Sequence, residues 1–138
     1  YEAAMEMSME DVGWACREQM RICQEFDGFF EKYDVLLCPG VGVPPFPHTD
    51  GFPKEIDGAP MENYIQWVGL TSALSVTGHP VTAIPCGWEP SGTPFGIQVV
   101  GPKYADRRTL SVALALEELF AEHRETARPV PNIEDLRL

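Results

Sequence analysis

Three histidines, four cysteines, three lysines, five serines and a surplus of carboxylates are the groups in this chain that could do chemistry. Cys38 or Cys86 with His48 or His79 would make a nucleophile and base, since such partners meet in space and not in sequence. The residue context argues otherwise: Cys86 ends a strand-like run, and His79 holds a turn position before Pro80. A zinc site from Cys38, Cys86 and His48 lacks the short spacings such sites use, the cysteines being separated by 7, 15 and 48 residues. No metal and no cofactor is expected. Carboxylate pairs such as Glu117 and Glu118 fall on helix faces that solvent explains. There is no GxGxxG opening a helix and no GxxxxGK[ST], so phosphates have no evident cradle. Serine chemistry would need Lys32, Lys54 or Lys103 as base. Yet Ser8, Ser72, Ser75, Ser91 and Ser111 all lie outside any GxSxG turn. No residue is assigned a catalytic role.

Charge narrows the partners. Lys and Arg number 10 against 21 Asp and Glu, a net charge of −11 that repels phosphate backbones and anionic lipid heads. Nucleic acid and membranes are therefore not expected as partners. No apolar run reaches the roughly 20 residues that span a bilayer, and the chain, which begins at Tyr1, does not open on a leader pattern. A cytoplasmic protein with reduced, mostly buried thiols is expected.

The elements that would position these groups follow from spacing. Val12, Cys16, Gln19, Cys23, Phe26, Phe30 and Tyr33 recur at three to four residues, which predicts a helix over 8–33 capped by Ser8 with Asp11. "VLLC" predicts a strand over 34–38, buried on both faces of a mostly parallel sheet. Six prolines and four glycines make 39–60 a loop without regular elements, draped over another surface. Residues 61–77 read as a helix apolar nearly all round, with Pro60 in its first turn and Gly78 as its left-handed cap. An antiparallel strand pair over 80–101, a helix over 106–123 capped by Asp106, and an irregular tail over 124–138 complete the chain. The fold class is α/β: a partial mixed sheet of about three strands with flanking helices.

Several of these stretches, taken in order, carry a resemblance. "FEKYDVLLCPGVGVPPFP" (30–47), the Trp67 and Thr71 helix leading into "SVTGHPVTAIPCG" (75–87), and "GTPFGIQVVGP" (92–102) are similar to the C-terminal portion of amidase signature enzymes. There a YDvLLtPt-like strand, a W-x-x-x-T helix ending in N-x-T-G-x-P, a vPcG turn and a lPvGxQxvG strand follow one another. The resemblance covers roughly residues 25–120. It implies a slice of a mixed sheet with helices around it, in a family that hydrolyses or transfers amides through a Ser–Ser–Lys triad. That triad lies upstream of the part matched here, so no triad role passes to any position of this chain.

On the same resemblance, the helix matching 64–75 and the loop after the YDvLL strand face the substrate. Trp67, Thr71, Leu74 and Ser75 become pocket-wall candidates, with core packing as the competing role for each. The chain departs from the family pattern at Ser75, where Asn is usual, and at His79, where an apolar residue is usual. Val68 stands where the branch acting on glutamyl-tRNA commonly has an acidic residue, which points toward a general amidase for small or aryl amides. The resulting expectation is the C-terminal part of an amidase that supplies scaffold and pocket wall and is inactive alone. It would bind a small amide within the parent and associate with itself or with the missing N-terminal part. The alternative is a free-standing binding module that keeps the scaffold without catalysis.

Overall fold

The computed structural model describes residues 2–136. The last two residues of the expected tail lie outside them, as does Tyr1. After a short helix α1 (Glu2–Met5), the long amphipathic segment forms α2 (Met9–Phe30). Ser8 caps it by accepting from the Asp11 amide, and the Asp11 carboxylate reaches back to the Ser8 amide at 2.8 Å, a reciprocal capping box. The carboxyl of Asp11 is held below its usual range, first by the Ser8 hydroxyl and then by the Ser8 amide.

Three strands form one antiparallel sheet in the order β1 (Leu36–Pro39), β5 (Pro94–Val100), β4 (Val81–Trp88). Side chains alternate across it. Ile84 and Val99 point to one face, where Ala113 of α5 (Asp106–Ala121) closes the core together with Ile97, Leu116 and Phe120. Val100 and Gln98 belong to the opposite face, and both are buried. Gly101 ends β5 where a Cβ would stand 1.8 Å from Thr109 Oγ1, so only glycine lets the first turn of α5 sit this close.

Several details differ from the sequence reading, among them a 3-10 turn (Ile133–Leu136) in the tail expected to be irregular. β1 is an antiparallel edge strand, with Leu37 47% exposed, because its apolar run is covered on one face only. The 39–60 loop contains a 3-10 turn (His48–Asp50) and a two-stranded ribbon, β2 (Glu55–Ile56) with β3 (Ala59–Pro60). Asp57-Gly58 closes that ribbon, both at positive φ as a tight hairpin requires. The 61–77 segment is two helices, α3 (Tyr64–Trp67) and α4 (Gly69–Thr77), broken at Val68. Pro60 lies in β3, Asn63 caps α3, and of α4 only Leu74 and Thr77 are buried. Gly78 does cap α4 in the left-handed region, whereas Asp106 is the first residue of α5 and not its cap.

Candidate functional site

At the end of the sheet where β1 gives way to the loop, a groove of about 640 Å³ opens between the run Pro39–Phe46, Trp67, Glu89 and Phe95. Its walls are made by backbone restraint. Gly40 donates its amide to Gly96 O at 2.9 Å, tying the loop to β5. The buried Gln98 amide donates to Pro39 O at 2.9 Å, with Gly40 O at a marginal 3.5 Å, so one side chain fixes the carbonyl at which β1 gives way to the loop. Prolines 44, 45 and 47 then restrict the backbone up to and beyond Phe46. The ring of Phe46 meets Trp67 edge-on at 5.4 Å, and Tyr64 meets it edge-on at 5.6 Å, which orients the indole between them.

Glu89 is the one charged residue among the described residues lining the groove. It opens the β4–β5 turn, where Glu89 N donates to Thr93 O and Gly92 N donates to Glu89 O, both at 2.9 Å. Ser91 Oγ and Thr93 Oγ1 both donate to Glu89 Oε1, the second at 2.6 Å. The Ser91 hydroxyl, then the Thr93 hydroxyl, hold the carboxyl below its usual range, so it is an anion at neutral pH.

Of the four pocket-wall residues expected from the sequence, Trp67 lines this groove. Leu74 lines a second, apolar cavity of about 340 Å³ between α2, β1 and α4, beside Ile22, Phe26, Leu36 and Cys38. Thr71 and Ser75 are exposed on α4 and line neither cavity, and Ser75 Oγ donates to Thr71 O at 3.0 Å. The break at Val68 removes the helical register that would have set Thr71 one turn above Trp67. Glu89, Phe95 and Gln98 were not singled out from the sequence. Gln98 had a usable signal, a lone amide inside the apolar run "FGIQVV".

The groups with chemical potential stand apart from the groove. Burial raises the thiols of Cys38 and Cys86, which disfavours a thiolate nucleophile. The His79 side chain is fully buried against Phe26 and Phe30, at ring separations of 5.6 and 5.1 Å. Its Nδ1 is 3.2 Å from Thr77 O, and its Nε2 is 3.2 Å from Asp27 Oδ1, an electrostatic contact without hydrogen-bond alignment. Both nitrogens are thus turned to α2 and α4. No serine, cysteine, histidine or lysine lines the groove among the described residues, and none of their carboxylates, thiols and imidazoles gather into a metal-binding group of three.

Residues 2–110 match the family model described as Amidase. The chain is 36% identical over 107 residues to a glutamyl-tRNA(Gln) amidotransferase subunit from Dehalococcoides mccartyi, a match over 78% of this chain and 21% of that relative. It is 32% identical to the corresponding subunit from Prochlorococcus marinus, over 87% of this chain and 23% of that one. Among solved structures it resembles a bacterial aryl acylamidase of the amidase signature family with a TM-score of 0.74, at 26% identity. That match covers 85% of this chain and 24% of the acylamidase. The chain thus spans about a fifth of the length of the curated relatives it matches.

Proposed function

Since this chain belongs to the amidase family, we propose that it supplies the C-terminal part of an amide C–N bond hydrolase, with the groove as one wall of the substrate pocket. The observation that carries this reading is the groove's composition: an ordered apolar surface with aromatic walls and one fixed anion, and no nucleophile or base in its lining. A surface of that kind holds and orients an amide, and the attack on it is left to other residues. Acting alone, the chain is inactive, and its substrate is a small or aryl amide. Trp67 is the wall residue. Thr71 and Ser75, with exposed Trp14, Met20 and Leu37, face the remainder of the parent or a second copy of this chain, while buried Leu74 lines the second cavity. The four free cysteines favour a reducing compartment, and we place the protein in the cytoplasm on that ground.

A second reading, a part of an amidotransferase acting on glutamyl-tRNA, is favoured by the names of the sequence relatives. The net charge of −11 weighs against it, because tRNA contact rests on basic side chains, and so does Val68, which stands where that branch commonly has an acidic residue.

A chimera tests the main reading. This chain replaces the matching quarter of the bacterial aryl acylamidase, and hydrolysis of acyl anilides is compared with that of the 138-residue chain alone. The expected result is activity in the chimera with an altered KM, and none in the isolated chain. Activity in the isolated chain would overturn the wall assignment. A folded but inactive chimera would favour the free-standing binding module.

A further inference from the structure

Glu89 is an unusual neighbour for the walls around it. Val41, Val43, Phe46, Trp67 and Phe95 are apolar, yet the turn "EPSGT" places a carboxylate among them and fastens it with two hydroxyls. Any ligand that fills the groove strips water from that anion. A neutral ligand leaves the charge without compensation, which costs free energy. A ligand with a positive group replaces the lost water with an ion pair, and the aromatic walls attract the same charge. We propose that the groove selects amides whose apolar portion carries a protonated amine, with Glu89 as the counter-charge. The inference rests on the reading of the groove as the substrate wall and adds the substrate's charge to it.

Ser91 and Thr93 are part of the device. Both hydroxyls meet at Oε1 and aim the carboxylate, so its position is set before the ligand arrives. The half-buried setting of Glu89 limits the gain to that of a partly screened ion pair, about fivefold in affinity.

The test uses two probes of one skeleton, leucine β-naphthylamide and 4-methylpentanoyl β-naphthylamide, which differ only in the amine. Equilibrium dialysis of the full 138-residue chain at about pH 6, where that amine is protonated, gives a Kd for each. The leucine compound is expected to bind about fivefold tighter. Glu89→Gln, which keeps an oxygen for Ser91 and Thr93, should erase that preference, weakening the leucine compound and, with no anion left to desolvate, tightening the neutral probe. Raising the salt on the unmodified chain reads the same effect without a substitution, and the preference should shrink. Equal affinities for the two probes would overturn the charge inference and leave the groove reading intact. So would a preference that survives both Glu89→Gln and high salt. Saturable binding of neither probe would overturn the groove reading, and this inference with it.

Discussion

Replacing Gln98 by Leu separates what this residue does for the loop from what it does for the core. Gln98 is 4% exposed, and its amide donates to Pro39 O at 2.9 Å, with Gly40 O at a marginal 3.5 Å. Only the shorter bond carries weight, about 1 kcal/mol net. The exposed Pro39 can take water in its place. Against that loss, Leu no longer buries an amide, so the global change stays within about 1 kcal/mol, a Tm shift of about 4 °C at this size. The local change is larger in consequence. Without the tie, the Gly40 amide opens more often from Gly96 O, and exchange at Gly40 should quicken about fivefold. Hydrogen exchange resolved by residue, with a melt alongside, is the assay. Unchanged exchange at Gly40, or a Tm loss of more than about 10 °C, would refute the argument that Gln98 positions the loop. Gln98→Glu adds a pH signature, because a buried carboxylate facing carbonyls has its folded pKa raised. Between the unfolded and folded values only the native state holds the proton, so that variant should lose stability as pH rises from about 4 toward neutrality.

Other expectations follow from particular contacts. His79→Ala removes the ring packed between Phe26 and Phe30 and should cost about 2–3 kcal/mol. It should also speed thiol labelling of Cys23, whose Sγ lies 3.3 Å from Thr77 O. Gly101→Ala drives a Cβ into Thr109 Oγ1 and should cost about 1–3 kcal/mol by thermal melt, with partial recovery in combination with Thr109→Ala. Asp11 has a depressed folded pKa, so its capping contribution is complete above the unfolded value of about 3.9 and is lost as pH falls through the folded one. Acidification should therefore fray the start of α2 more in the natural chain than in Ser8→Ala, read by amide exchange at residues 9–13.

The elements were legible where one residue type settles the local geometry. Ser8 with Asp11 marked the start of α2, Gly78 the end of α4, and the Gly- and Pro-bounded β-branched runs the β4–β5 pair. The break at Val68 was not legible, since nothing in "YIQWVGLTSALSV" forbids one continuous helix. The Asp57-Gly58 hairpin signal was present but hidden by the prolines around it. Edge exposure of β1 and the open faces of α4 were also beyond the sequence, because an apolar run reports what a strand or helix can bury and not how much of its partner is at hand. The candidate site was half visible. The "CPGVGVPPFP" loop and Trp67 could be named from the resemblance, while Glu89, Phe95 and Gln98 join through long-range pairing of β1 with β5, which no local pattern encodes.

The central claim, that the groove at the end of the sheet holds an amide, is tested most directly by titrating isotope-labelled chain with acetanilide and following the backbone and indole resonances. Saturable shifts are predicted at Gly40, Gly42, Gly96 and the Trp67 indole, all residues of the groove lining. Shifts confined to Ile22, Ala73, Leu74 and Val76 around the second cavity, or the absence of any saturable shift, would contradict the account.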